Sequence, residues 1–366
     1  MSGQLNVLAL AGDYVGPEVV AAGLELLERA AALNGMAIEV EKGLLGGASW
    51  DVHGTFCTDE TLEAARRADA VLVGAVGGPK WDHIKIDGPV TETDGLTRLR
   101  VELDIYNALR PVRAWAPLLG LTPYRPELVE GADIMVIREN CGGIYYGEPR
   151  GWERLSDGQQ RAFEVSEYRT GEVERIARAA FEEARRRRGL VTSLDKSNVM
   201  ESGKLWRETV SRVGVEEYPD VELQHLLTDY ALYALVQEPR RFDVVLADNL
   251  FGDLVSDMVG TVAGSLGMLP SATLPSVARP GERIKPGVFE PSHGSAPDIA
   301  GRGIANPIGT ILSVAMMFQY AFAREDVARS IEAAVERTLE EGVLTPDLGG
   351  GARTKDVTRA VLNNLG

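Results

Sequence analysis

Leu5-Asn6-Val7-Leu8-Ala9-Leu10-Ala11, followed by Gly12-Asp13 and then by Pro17–Ala32, is the stretch that decides the fold class. The first run is apolar and of strand length. The second has apolar residues at helical spacing, with a proline near its start, where a missing N–H leaves nothing unpaired. The pairing recurs downstream. Ala70–Val76, Ile134–Ile137, Val191–Leu194 and Val244–Ala247 are further short apolar runs. Between them, Glu60–Arg67, Val173–Arg188, Lys204–Val213, Leu254–Gly260, Pro307–Ala323 and Val327–Glu340 carry helical periodicity. This alternation predicts an α/β protein with a largely parallel, buried sheet. Pro275–Gly287 is rich in proline and glycine and reads as a surface loop.

The predicted strands end in polar or glycine-rich steps: Gly12-Asp13, Gly77-Gly78-Pro79, Arg138-Glu139, Asp195-Lys196 and Asp248-Asn249. In open α/β sheets, ligands gather beyond the carboxyl ends of strands. No Gly-x-Gly-x-x-Gly follows a strand, so the usual dinucleotide fingerprint is absent, and a nicotinamide cofactor would have to bind some other way. Arg185–Arg188 reads as a solvated helix end, with cations near the C-terminus.

Composition narrows the class. At 366 residues, 45% hydrophobic and 25% charged, the chain is an ordinary globular protein of two domains or one large one. Cys57 and Cys141 are the only cysteines and form neither a disulfide framework nor a zinc site, which fits a reducing compartment. The start, Met-Ser-Gly-Gln-Leu-Asn, lacks the features of a signal peptide. The most apolar late stretch, Ile311–Ala323, is too short to span a bilayer. A cytoplasmic protein without a membrane partner is expected. With 54 acidic and 38 basic residues, the formal charge is −16. Such a surface repels phosphate backbones, so nucleic acid is not expected as a partner. An anionic substrate would need a local arginine cluster to reverse the field.

Several residues carry candidate chemistry. Asp253 and Asp257 are four apart in Asp248-Asn249-Leu250-Phe251-Gly252-Asp253-Leu254-Val255-Ser256-Asp257. On a helix they share a face, where two carboxylates repel unless a cation sits between them, and oxygen ligands suit Mg²⁺ or Mn²⁺. The alternative is a helix cap at Asp253 and a solvated Asp257. Lys196, leaving an apolar strand, suits proton transfer, or pairs with Asp195 at the surface. Arg100, Arg110 and Arg138 each sit among apolar residues, suited to gripping a di- or tricarboxylate or to structural ion pairing. Tyr145, in Gly142–Gly151, is either a general acid or a packed turn residue. His293-Gly294-Ser295-Ala296-Pro297-Asp298 follows Phe289-Glu290-Pro291 and lets a flat ligand approach the backbone. There Asp298 could accept ribose hydroxyls and repel a 2′-phosphate, unless the segment is an ordinary turn.

Together these motifs resemble one family, the β-decarboxylating dehydrogenases of 3-isopropylmalate, isocitrate, homoisocitrate and tartrate. The resemblance runs from Gly12-Asp13 to Pro346-Asp347-Leu348-Gly349-Gly350. Gly74–Trp81, Gly142–Gly151 and His293–Pro307 look most like the isopropylmalate branch. The resemblance implies a two-domain α/β fold with largely parallel sheets, not a Rossmann domain. Residues 1–105 with 265–366 would form a cofactor-binding domain holding both termini, and 106–264 a second domain with the metal, catalytic and dimer-forming residues. It implies metal ligands at Asp229, Asp253 and Asp257, and substrate carboxylates on Arg100, Arg110 and Arg138. Further substrate contacts would come from Leu96, Thr97, Val199 and Asp229. Tyr145 and Lys196 would be catalytic. Asn198, Glu290, His293, Gly294, Ser295, Ala296, Pro297, Asp298, Ile299 and Asn306 would bind NAD. Lys196 and Asp229 would reach into a neighbouring subunit, so an obligate homodimer is implied. The expected reaction is NAD-dependent oxidative decarboxylation of (2R,3S)-3-isopropylmalate to 4-methyl-2-oxopentanoate and CO₂, as in leucine biosynthesis.

Four positions depart from the family pattern. Tyr14 stands where glycine is usual. Thr97 replaces a leucine of the side-group pocket and Arg98 is added beside it, a loss of apolar contact on the order of 1–3 kcal/mol. Tyr230 follows Asp229 where a small residue is commoner. If Arg98 faced the pocket, a paralogue for tartrate, D-malate, homoisocitrate or another 3-substituted malate would be favoured.

Overall fold

A computed structural model describes residues 4–86 and 88–366. Twelve strands follow in chain order: β1 Leu5–Gly12, β2 Ile38–Gly43, β3 Ala70–Ala75, β4 Asn107–Arg113, β5 Asp133–Glu139 and β6 Gly151–Arg154. The rest are β7 Gln160–Phe163, β8 Leu190–Asp195, β9 Glu222–Leu227, β10 Val244–Ala247, β11 Pro270–Leu274 and β12 Gly287–Pro291. The helices begin with α1 Gly16–Leu33, α2 Gly47–His53, α3 Asp59–Arg67, α4 Val90–Thr93, α5 Gly95–Glu102, α6 Pro126–Val129 and α7 Thr170–Arg185. They continue with α8 Glu201–Glu217, α9 Thr228–Gln237, α10 Asn249–Val259, α11 Ile308–Tyr320, α12 Glu325–Glu340 and α13 Thr354–Leu365.

Ten strands form one sheet in the order β2-β1-β3-β12-β11-β4-β5-β10-β8-β9, and β6 and β7 form a separate hairpin. Six of the nine pairings in the large sheet are parallel. The antiparallel pairs, β12–β11, β11–β4 and β4–β5, lie in the middle. They reverse the sense of the sheet, so β1 and β3 run opposite to β5, β8 and β10. The expected clustering of strand exits is corrected accordingly: the Gly12 and Gly77 exits lie on one edge, those at Arg138, Asp195 and Asp248 on the other.

Burial explains which strands were legible. β3 and β10 are covered on both faces and read as unbroken apolar runs, and β1 is an apolar run broken by the exposed Asn6. One face of the β1–β3–β12 block carries Leu8, Leu10, Val71, Val73 and Val288, packed with Leu62 of α3 and Leu96 and Leu99 of α5. The larger core on the other side includes α1, α11, α12 and α13. α11 is buried almost throughout, as a helix enclosed by neighbours must be.

Two sequence expectations need revision here. The Gly12-Asp13 exit is a structural tie: the buried Asp13 carboxylate accepts from the backbone N–H of Gly47, Ala48 and Gly77 at 2.7–2.8 Å. The Arg185–Arg188 run is a solvated helix end only at Arg185. Arg187 pairs with Asp133 and the buried Asp243, and Arg188 donates to the carbonyls of Arg240 and Phe242. The run clamps the start of β5 to the start of β10.

Candidate active site

α10 builds one side of the site. Its N-cap is Asp248, whose carboxylate accepts from the backbone N–H of Phe251 at 2.8 Å, a contact worth about 1 kcal/mol. That places Asn249, Gly252, Asp253, Ser256 and Asp257 along the helix toward β4 and β5. Gly252 is required there: a Cβ would stand 2.7 Å from Arg138 Cγ.

Side chains alternate along a strand, and Arg110 on β4 lies opposite Val136 on β5, so Arg110 and Arg138 share a sheet face. Both reach α10. Arg138, 2% exposed, pairs with Asp253 and donates through Nε and Nη2 to Asn249 Oδ1 at 3.1 and 2.6 Å. Arg110 donates to Ser256 Oγ at 2.7 Å, with its Nη1 3.5 Å from Asp253 and 3.7 Å from Asp257. Arg100, from α5, pairs with Glu290 of β12 at 3.0 Å. The Tyr145 hydroxyl donates to Asp253 Oδ2 at 3.1 Å. The alternative of Asp253 as helix cap is thereby set aside, since Asp248 fills that role.

Burial, followed by the like charge of Arg110, pulls the Arg138 guanidinium down to about 10, so it is still a cation at neutral pH. Burial also tends to neutralise Arg100, but the Glu290 carboxylate, together with Tyr146 and Asp94, more than offsets this and raises it. Burial and the nearby Asp253 carboxylate raise the Tyr145 phenol, which therefore keeps its proton. The Asp257 carboxyl is raised by burial and by like-charge Asp253, partly opposed by Arg110.

That last strain bears on a metal. Asp253 and Asp257, adjacent and oxygen-only, with the second resisting ionisation, fit a hard divalent cation that would relieve the repulsion. Asp229 does not join them. It lies at the start of α9, 67% exposed, with Lys196 Nζ at 2.5 Å, and that lysine holds its carboxyl below the usual range. Among the described residues, no three acidic, histidine or cysteine side chains of one chain gather as metal ligands. Lys196 pairs with Asp229 and not with Asp195, which is held by Arg207. Asn198 and Val199 follow, both exposed.

The 293–299 loop is tied to the exit of β1 by the Val15 N–H to Ser295 carbonyl bond at 3.1 Å. His293 Nδ1 contacts the Gly294 carbonyl, while Nε2 is buried without a partner, and burial keeps the ring neutral. Gly294 faces open space, Pro297 and Asp298 are exposed, and Ala296 adopts φ +42° in the turn closed by the Ile299 N–H. An orphaned buried nitrogen beside open backbone fits a bound nucleotide. Two of the expected cofactor residues have protein partners: Glu290 holds Arg100, and Asn306 bonds Asp347 and the Ile308 N–H.

Around α5, Leu96 is buried, and Thr97 Oγ1 is occupied by the carbonyls of Val90 and Asp94. Arg98 turns away, donating to the Cys57 carbonyl and pairing with Asp59. Tyr14 adopts φ +49°, a conformation natural to glycine, and meets Trp81 edge-on. Sequence reasoning missed Asn249, Ser256 and Glu139. Asn249 and Glu139 had a signal, as the second residues of the polar strand exits Asp248-Asn249 and Arg138-Glu139.

The chain matches the family described as isocitrate/isopropylmalate dehydrogenase over residues 6–361. It is 48% identical to a Caulobacter vibrioides protein named 3-isopropylmalate dehydrogenase, over 98% of this chain and 99% of that one. It is 46% identical to one of the same name from Gluconobacter oxydans, over 100% and 99%. Among solved structures, isocitrate dehydrogenase from Methylococcus capsulatus superposes with a TM-score of 0.85 at 28% identity, covering 99% of each chain. A β-decarboxylating dehydrogenase from Thermococcus kodakarensis gives 0.77 at 34% identity, covering 99% and 96%. The chain belongs to the isocitrate/isopropylmalate dehydrogenase family, and is an enzyme of its decarboxylating-dehydrogenase class.

Proposed function

We propose that the protein catalyses NAD-dependent oxidative decarboxylation of (2R,3S)-3-isopropylmalate to 4-methyl-2-oxopentanoate and CO₂, the leucine-biosynthetic reaction. The observation that carries the reading is the convergence of Arg110, Arg138 and Tyr145 on Asp253 and Asp257, in a chain so similar to enzymes of that name. The choice among malates follows from α5. Arg98 is committed to Asp59 and the Thr97 hydroxyl to backbone carbonyls, so neither is free for a polar side group. The paralogue reading loses its physical basis.

Arg100, Arg110 and Arg138 would hold the two substrate carboxylates, with charge-assisted bonds that fix orientation. Asp253 and Asp257, with Asp229, would hold Mg²⁺ or Mn²⁺; the 293–299 loop and Asn198 would hold NAD. When bound, the cation supplies a Lewis acid for the C2 oxygen and the nicotinamide supplies the hydride acceptor. Lys196 takes the hydroxyl proton as C2 becomes a ketone. Cleavage of the C3–carboxylate bond leaves its electron pair as an enolate, and Tyr145, kept protonated by its surroundings, returns a proton to C3.

The separation of Lys196 and Asp229 from the arginine cluster supports a homodimer with shared sites. A face of α9 exposes Tyr230 and Tyr233, the latter 64% exposed, and Val199 is 70% exposed nearby in sequence to Lys196. Apolar exposure of this kind marks an interface. We also take residues 1–105 with 265–366, and 106–264, as the two domains. Among the described residues no helix is long and apolar enough to cross a membrane; the cytoplasm is the proposed location. The test is product analysis: 3-isopropylmalate, NAD and Mn²⁺ should give equimolar NADH, CO₂ and 4-methyl-2-oxopentanoate, and chelation should stop all three. NADH formation without CO₂ would overturn the reading.

A further inference from the structure

Strands β8 and β9 run parallel and leave the sheet together: Asp195, the last residue of β8, lies opposite Leu227, the last of β9. Lys196 and Asp229, just beyond these ends, form an ion pair. Asp195 is a charge that the proposed reaction does not use. Its side chain is fully buried on the strand face that α8 covers, where Trp206 Nε1 donates to Ser193 Oγ at 3.2 Å and Arg207 reaches Asp195 from the same helix.

A buried carboxylate persists only where partners answer it. Arg207 Nε donates to Asp195 Oδ2 at 2.7 Å and Nη2 to Oδ1 at 3.1 Å, a two-pronged grip that fixes orientation as well as charge. His225 Nδ1 stands 4.0 Å from Oδ2, and burial, followed by the Arg207 cation, keeps that ring neutral, so it adds no second positive charge. Oδ1 also accepts from the Ser197 N–H at 2.8 Å, closing a side-chain turn across Lys196. The turn is held from its other sides as well. The Lys196 carbonyl accepts from the Val199 and Met200 N–H groups at 3.1 and 3.0 Å. A Cβ on Gly203 would stand 2.9 Å from the Lys196 carbonyl carbon, so the start of α8 backs directly onto the turn. The Asp195 carbonyl accepts from the Thr228 hydroxyl at 3.1 Å, tying the residue before Lys196 to the residue before Asp229.

We propose that Asp195 is a positioning residue for Lys196: gripped by Arg207, its carboxylate fixes the 195–198 turn so that the lysine amine is delivered to Asp229 in one orientation. Asp195 touches no reacting atom and acts through the lysine. Its effect on turnover rests on the proposed role of Lys196 as proton acceptor; its effect on the lysine does not. Replacing the side chain leaves the carbonyl tie to Thr228 standing, so Asp229 keeps its place while the lysine loses its own. Arg207 is 36% exposed at its side chain, so removing its partner strands no buried cation.

The test is the rate at which acetic anhydride acetylates Lys196 at fixed pH, read by peptide mass spectrometry on the full-length protein without ligands, beside steady-state kinetics. In wild type the amine is shielded by its pair with Asp229. Asp195→Ala should speed acetylation by about two- to fivefold, the factor an exposed ion pair of this kind is worth, toward the rate of Asp229→Asn, which removes the partner outright. The same variant should lose about a hundredfold in kcat, the effect of displacing a reacting group by about 1 Å. Its KM for the malate should stay within about threefold, because Arg100, Arg110 and Arg138 are not moved. Asp195→Asn keeps an oxygen for the Ser197 N–H and should recover part of both the shielding and kcat. Melting curves show that each variant is folded. Wild-type acetylation in folded Asp195→Ala, or no difference between the alanine and asparagine variants, would overturn the positioning. Faster acetylation with kcat unchanged would uphold it and remove Lys196 from the proposed chemistry instead.

Discussion

The guanidinium of Arg138 and the side-chain amide of Asn249, 111 residues apart in sequence, are bound to each other twice, and the same amide continues to the turn that carries Tyr145. Asn249 Oδ1 accepts from Arg138, Asn249 Nδ2 donates to the Gly142 carbonyl at 2.9 Å, and the Asn249 N–H donates to the Tyr168 hydroxyl. One buried amide thereby aligns a carboxylate-binding arginine with the proposed acid. Asn249→Ala strands buried donors on Arg138, at a cost on the order of 1–3 kcal/mol. Melting temperature should fall, and kcat/KM should drop by at least about tenfold. A variant with normal activity would show that Arg138 keeps its place without the amide.

Lys196 and Asp229 are paired with each other, apart from Asp253 and Asp257. If each site draws on two subunits, inactive Lys196→Met and inactive Asp253→Asn proteins should rescue one another after unfolding and refolding together. Random pairing leaves half the dimers hybrid, each with one intact site, so about a quarter of wild-type activity should return. No recovery would place both groups in one subunit's site.

Asp298 is exposed at the tip of the nucleotide loop and makes no hydrogen bond among the described residues, so its carboxylate is available to ribose hydroxyls. Asp298→Lys should reduce the preference for NAD over NADP by at least about tenfold in kcat/KM, because a cation there welcomes the 2′-phosphate. Unchanged cofactor ratios would relocate that contact.

Glu139 is fully buried beneath the same turn and accepts from the Cys141 and Gly142 N–H groups at 3.0 and 2.7 Å. Burial pushes its carboxyl up to about 7 from its ordinary value near 4.5. The charged or titratable groups around it include Arg175, Glu172, Tyr168, Cys141 and Tyr106. An acid held more tightly protonated in the fold stabilises fully below its unfolded value, and that stabilisation is lost as pH rises through the folded one. The loss falls between about pH 4.5 and 7 and is on the order of 3 kcal/mol at most. Across that window the melting temperature of wild type should fall relative to Glu139→Gln. A constant difference between the two proteins would contradict the shift.

The parts legible in sequence were those whose physics is local. β3 and β10 are bare apolar runs, and the Asp253–Asp257 spacing works as a helical pair should. β2, Ile-Glu-Val-Glu-Lys-Gly, escaped because an edge strand exposes its polar side chains. β4 was hidden by two arginines and by Pro111, which is tolerated because pairing with β11 ends at Leu109, leaving the proline beside β5 alone. Helix α10 begins earlier than its apolar period suggests because Asp248 caps it. The Arg98 reading failed for a different reason. Its choice between the site and Asp59 depends on α3, brought alongside α5 only by folding.

The central claim is that the arginine-lined site on α10 is built for a malate with a branched apolar side group. Its most direct test is kcat/KM, by NADH formation with Mn²⁺, for (2R,3S)-3-isopropylmalate beside isocitrate, homoisocitrate, D-malate and tartrate. Isopropylmalate should exceed each of the others by at least about tenfold, the discrimination expected of a well-formed apolar pocket. A higher value for any polar or unsubstituted malate would contradict the account, leaving the reaction class in place and the assigned substrate wrong.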